Sequence, residues 1–210
     1  VQSLGLEDVA DFDIDQKVIG LPAQQGPLAN MNVADVVDEV SRDTPAPGGG
    51  SIAALGGAIG SALAAMVVNL CGGTGEFDGQ YDALCELAEQ AQDGKDDLLR
   101  AIDADTEAFT EVLAGMRRAK DTAEQQEARA AAIRAGYRTA AEVPLRTAEL
   151  CRDVLDLCRQ AANIGNDAVM SDAGVGALMA LAGLRGAIHN VRINLPHTKD
   201  AEFIARVSAQ

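Results

Sequence analysis

The sequence predicts an all-α protein, an orthogonal array of antiparallel helices around one buried helix rich in glycine and alanine. Three observations carry this. Thr44–Leu70, TPAPGGGSIAALGGAIGSALAAMVVNL, lies in a stretch without a charged residue between Asp43 and Glu76. Two long segments, about 81–116 and 122–162, repeat apolar residues at helical spacing. Only a few residues near Val191–Leu195 show the period-2, β-branched alternation of a strand. With 3% aromatic residues among 48% hydrophobic ones, the core is built from Ala, Leu, Val and Gly, which suits close helix packing.

Taken in order, residues 1–30 read as tail and linker, and residues 31–210 as the folded domain. The tail has a short acidic start and then LPAQQGPLAN, rich in Pro, Gly and Gln. Asn32–Arg42 is a short amphipathic helix, because Val33, Val36, Val37 and Val40 keep helical spacing. Pro45 and Pro47 bar a helix on entry to the central stretch, and Gly48, Gly49 and Gly50 follow. Ser51 is expected to cap the central helix by accepting from an orphan backbone N–H. Small residues then recur four apart in two rows, Ala53, Gly57, Ser61, Ala65 and Gly56, Gly60, Ala64. Such rows let another backbone approach closely.

After a glycine-rich loop, Tyr81–Met116 forms a long helix in which Gly94 is expected to mark a bend. Thr122 with Gln125 makes a capping box for the next helix, which Pro144 is expected to kink or restart. NIGNDAVMSDAG is a turn-rich connection, with Ser171 or Asp172 capping a helix from Ala173 to about Ile188. Lys199–Val207 is a last short helix.

A formal net charge of −15 excludes a nucleic-acid or anionic-membrane surface, since phosphate backbones need Lys and Arg patches. The central helix is long enough to span a bilayer, yet no basic cluster or aromatic belt flanks it, so a buried core helix is expected. Its glycines lack the Lys of a phosphate-cradling loop and the spacing of a dinucleotide fingerprint. The four cysteines form no CxxC and read as reduced, mostly buried thiols of a cytoplasmic protein. His189 and His197 fit no metal spacing and read as surface or turn residues, with no metal expected.

Two places offer chemistry. Gly48–Ser51 is a bare, amide-rich turn at the positive end of a buried helix, suited to an anionic or carbonyl-bearing ligand. In the long helix, Leu98, Ile102, Phe109, Val112, Leu113 and Met116 form one apolar stripe with Asp105 in its middle. Asp103, about 200° round the helix from Asp105, is expected on a solvated face. Desolvation raises a carboxyl's pKa toward the range useful for proton transfer. The plain alternative is an Asp satisfied by a buried neighbour.

APGGGSIAALGGAIGSALAAMVVNL resembles the signature of the formiminotetrahydrofolate cyclodeaminase and methenyltetrahydrofolate cyclohydrolase family. IDADTEAF resembles its acidic block, GNDAVMSDAG a further block and NVRINL the closing one, so the likeness covers nearly all of 32–207 in order. SLGLEDVADFDIDQKVIG is similar to the end of the formiminotransferase half of the bifunctional enzymes. The resemblance implies conversion of 5-formiminotetrahydrofolate to 5,10-methenyltetrahydrofolate with release of ammonia, without a cofactor, by a homodimer with an associated or fused transferase domain. Cyclohydrolase chemistry and a non-catalytic folate-binding module are its alternatives. It implies Asp105 as the catalytic carboxyl, and Gly48, Gly49, Gly50, Ser51, Asn69, Asn166, Asp172 and Asn194 as substrate-binding residues. One departure stands out: after the central helix the family commonly has basic residues, where this chain has GTGEFDGQY.

Overall fold

A computed structural model describes residues 25–72, 81–164 and 168–209, and among these it is helical, with no strand. In chain order the helices are α1 (Val33–Val40), α2 (Gly49–Gly72), α3 (Tyr81–Met116), α4 (Ala123–Ile164), α5 (Met170–Asn194) and α6 (Ala201–Ser208). A 3-10 turn, Leu195–Thr198, joins the last two. The expected all-α class is therefore found.

The contacts of the small residues give the topology. A Cβ added at Gly56 meets Gly183, and one at Gly60 meets Gly176 and Ala180, so α2 and α5 run antiparallel. Ser51 meets Ile102 while Ser61 meets Ala91, so α2 and α3 are antiparallel too. Gly94 lies against Val154 and Gly136 against Val112, which makes α3 and α4 antiparallel. Gly57 meets Cys151 and Gly60 meets Cys158, so α2 and α4 run parallel on the diagonal of an up-down-up-down bundle. Glycine on α2 brings this diagonal into contact, and α2 thereby touches α3, α4 and α5. By length and composition α2 is apolar enough to cross a membrane, yet 67% of that window is buried inside the protein.

The core around α2 joins Val67, Val68, Leu98, Val154 and the thiols of Cys71, Cys151 and Cys158. Burial pushes the Cys151 thiol up to about 12 and the Cys158 thiol up to about 11, so both remain protonated packing groups. A Cβ at Gly57 would stand 2.6 Å from Cys151 Sγ and 3.0 Å from Leu98 Cδ2, both fully buried. Gly57→Leu is therefore expected to cost about 3 kcal/mol, measured by denaturant unfolding; an unchanged midpoint would contradict this packing.

Several local expectations change. α3 runs unbroken through Gly94, whose missing side chain instead admits Ser61 Oγ at 3.1 Å from where its Cβ would lie. α4 likewise continues through Pro144 without restarting. The Thr122–Gln125 box is present: Gln125 N donates to Thr122 Oγ1 at 3.2 Å and Thr122 N to Gln125 Oε1 at 3.3 Å. α5 begins at Met170 with Val169 as its cap residue and no side-chain cap, so neither Ser171 nor Asp172 caps it. It also extends to Asn194, so Val191–Leu195 is helical and not extended. The last helix is capped by Asp200, which accepts from Phe203 N at 3.0 Å.

α1 is amphipathic as expected, but three of its four valines are exposed, Val33 by 82%, Val37 by 63% and Val40 by 37%. Ile52, Ile59 and Met66, seven apart on α2, are also exposed and leave an apolar stripe along that helix.

Candidate active site

The N-terminus of α2, the middle of α3 and the C-terminal end of α5 meet at one end of the bundle. The Ala46–Pro47 peptide is cis, and Pro47 is buried. α2 begins at Gly49, two residues before Ser51, so Ser51 lies inside the first turn and does not act as its cap. Its hydroxyl instead turns to α3, 2.9 Å from Ile102 O, 3.2 Å from Asp105 Oδ2 and 3.3 Å from Thr106 Oγ1. Ser51 N–H donates to Asp105 Oδ2 at 2.9 Å, so an orphan amide of the helix start is satisfied by a carboxylate from another helix.

Asp105 sits against Gly50. A Cβ on Gly50 would lie 2.0 Å from Asp105 Oδ1 and 2.4 Å from its Cγ, so no larger residue fits while the carboxyl holds this place. Burial pushes the Asp105 carboxyl above the ordinary value of 3.8, and the Ser51 hydroxyl and amide pull back less strongly. With Oδ2 held by Ser51, Oδ1 is the oxygen left open to a ligand. Of the three glycines only Gly50 is forced by contact: the nearest atom to a Cβ is 3.8 Å away at Gly48 and 3.6 Å at Gly49.

A cavity of about 350 Å³ opens beside Asp105, floored by Gly48–Gly50. Phe109, one turn beyond Asp105, forms part of its wall, as does Tyr137 from α4. Asn190 and Asn194, one turn apart on α5, face it with His197 from the 3-10 turn. Both asparagines are fixed through their NH₂ groups. Asn190 donates to Gly186 O at 3.0 Å, and Asn194 to Ala140 O at 2.8 Å. The second bond has a sequence cause: Pro144 has no N–H to bond the carbonyl four residues earlier, and that carbonyl belongs to Ala140. Asn194 supplies the missing donor, which leaves its Oδ1 as the acceptor available to the cavity.

Gly48, Gly49, Gly50, Ser51, Asn194 and Asp105 are thus brought together. Asn69 and Asp172 are not. Asn69 is exposed at the far end of α2, 19 residues beyond Gly50, or roughly 28 Å at 1.5 Å per residue. Asp172 is in the first turn of α5, 22 residues before Asn194, or roughly 33 Å away. One chain cannot place them on the same small ligand, because both helices run the length of the bundle. Asn166 lies outside the described residues. Ending the helix at about Ile188 hid the helical pairing of Asn190 with Asn194. Phe109 entered only as part of the apolar stripe and the IDADTEAF block, and Tyr137 and His197 carried no motif.

Asp103 requires a correction. It is 8% exposed, more buried than Asp105, and accepts from Leu28 N at 2.8 Å and Ala29 N at 3.1 Å. The face expected to be solvated is covered by the turn at residues 26–30, where Gly26 leaves room for the carboxyl. The two aspartates do point to different elements. Asp103→Asn keeps at most one of these bonds well and is expected to cost about 2 kcal/mol, with turnover nearly unchanged. Thermal melting and an activity assay on the same sample check this; unaltered melting would contradict the staple.

Among the described residues no group of three or more His, Cys, Asp or Glu is placed to hold a metal. The arrangement has one raised carboxyl, backbone amides at a helix start and two fixed amide acceptors. It can bind a planar polar ligand and move a proton at one atom.

Comparison with known proteins gives the family. The family model for formiminotransferase-cyclodeaminase matches residues 32–210. The methenyltetrahydrofolate cyclohydrolase of Methylorubrum extorquens is 38% identical over 174 residues, covering 83% of this chain and 84% of that protein. The formimidoyltransferase-cyclodeaminase of Mus musculus is 35% identical over 207 residues, which is 97% of this chain but 38% of the mouse protein. A crystal structure of formiminotetrahydrofolate cyclodeaminase from Thermotoga maritima superposes with a TM-score of 0.76 at 23% identity over 86% of each chain, a likeness of fold. The chain belongs to the formiminotransferase-cyclodeaminase family.

Proposed function

We propose that this chain is a formimidoyltetrahydrofolate cyclodeaminase, converting 5-formiminotetrahydrofolate to 5,10-methenyltetrahydrofolate and ammonia. The observation that carries the reading is the Asp105 carboxyl, raised by burial and seated on the bare start of α2 beside a cavity. In the reaction N10 attacks the carbon of the protonated formimino group, whose C=NH₂⁺ becomes C–NH₂ as the C–N10 bond forms, and N10 gives up its proton. The carbon–amine bond then breaks, and the departing nitrogen must be protonated to leave as ammonia. One carboxyl with a raised pKa serves both events, taking the N10 proton and returning it to the leaving amine. Amides at the start of α2 face the carbonyl side of the pterin, and Asn190 and Asn194 offer acceptors to its N–H groups. No cofactor beyond the folate itself is needed for these steps.

The alignment with the mouse protein spans more of the chain than the family model does, and so runs into residues ahead of 32. This supports the cyclodeaminase half of a bifunctional protein, with a transferase domain as partner. The exposed stripe of Ile52, Ile59 and Met66 suits a second copy of the chain, giving a homodimer. The second reading is methenyltetrahydrofolate cyclohydrolase, favoured by the 38% identity to a protein that the chain nearly spans. Purified protein given 5-formiminotetrahydrofolate should release ammonia in step with the appearance of the methenyl product. Hydrolysis of the methenyl compound with no ammonia from the formimino compound decides for the cyclohydrolase, and neither activity refutes both.

A further inference from the structure

Aromatic side chains make up 3% of this chain, yet Phe109 and Tyr137 both line the Asp105 cavity. His197 joins them: its ring stacks on Tyr137 with centroids 4.5 Å apart and planes 25° from parallel. The pair is built on firm supports. Tyr137 is half-buried and packs on Ala108, Val112 and Ala140. His197 is itself exposed, but its turn is pinned by buried Leu195 and Thr198. Among the described residues no Lys or Arg lines the cavity, and His197 is the described lining side chain able to carry positive charge, in a chain of net charge −15. An imidazole also donates one N–H when neutral, so it can hold an anion in either protonation state.

We infer that the stacked Tyr137–His197 pair is a specificity element of this site, with Tyr137 giving the p-aminobenzoyl ring of the substrate a π-face and His197 donating to the carboxylate of its glutamate. This rests on the folate reading above. It assigns to the C-terminal turn the anion contact that GTGEFDGQY, with two acids and no base, does not supply. The substrate then lies with its reacting centre at Asp105 and its glutamate toward the exposed imidazole.

The test is the split of KM against kcat for Tyr137→Leu, Tyr137→Phe and His197→Leu. The substrates are formiminotetrahydrofolate and its analogue lacking the glutamate. Tyr137→Leu should raise KM about 3- to 10-fold for both substrates, the usual worth of an aromatic contact, and Tyr137→Phe should restore it. His197→Leu should raise KM for the glutamate-bearing substrate and leave the truncated one unchanged. As His197 is exposed, that variant does not depend on how Tyr137→Leu folds. Wild-type turnover with KM unchanged in His197→Leu and Tyr137→Leu overturns this inference alone. A wild type inactive on both folate substrates overturns the functional reading together with it.

Discussion

Asp105→Asn is expected to lower ammonia release by about 100- to 10,000-fold, the usual worth of general acid–base catalysis, while folate binding is largely kept. Asparagine retains the shape and an acceptor for Ser51 N–H, and loses only the group that exchanges a proton. The same change should not destabilise the fold. Because burial raises the Asp105 pKa in the folded state, its stabilising contribution is full below the unfolded value of 3.8 and is lost as pH rises through the folded value. At neutral pH the variant should therefore melt at or above the wild type, and the difference should shrink under acid. A steep fall in melting temperature at neutral pH would mean that the Ser51–Asp105 contact serves the structure more than the chemistry.

Gly50→Ala should come close to the same loss of activity by a different route. Its Cβ would fall 2.0 Å from Asp105 Oδ1, and that carboxyl is the end of a side chain that can swing aside. The fold can accommodate the methyl, but the carboxyl cannot stay where it is. A displacement of about 1 Å in a reacting group costs roughly 100-fold, so kcat should fall by about that factor. The stability loss should be smaller than that of Gly57→Leu, whose neighbours Cys151 and Leu98 are buried and have nowhere to go. Wild-type kcat in Gly50→Ala would show that Asp105 does not act from this position.

Elements whose cause is local were legible in the sequence. The Thr122–Gln125 box, the long periodic helices and the small-residue rows of α2 need only neighbours in sequence or the period of a helix. Asp105 was reached through the apolar stripe of α3, and its contact with the start of α2 joins two readings made separately. What stayed hidden depends on distant chain. Asp103 reads as solvated until residues 26–30 fold over it. Gly94 reads as a bend and Pro144 as a kink or restart, but each helix continues as one element through its residue, and Asn194 supplies the donor that Pro144 lacks. Asn69 and Asp172 stand at ends of apolar segments, as does Asn194, and sequence cannot say which end of the bundle each end occupies. The direction of α2 and α5 separates them.

Ammonia release from 5-formiminotetrahydrofolate by wild type, Asp105→Asn and Asp103→Asn, with circular dichroism to confirm folding, tests the central claim most directly. Wild-type turnover is predicted to be nearly preserved in folded Asp103→Asn and to fall by about 100-fold or more in Asp105→Asn. Loss in Asp103→Asn with activity kept in Asp105→Asn would contradict it, since the proton would then be moved from the face that the 26–30 turn covers.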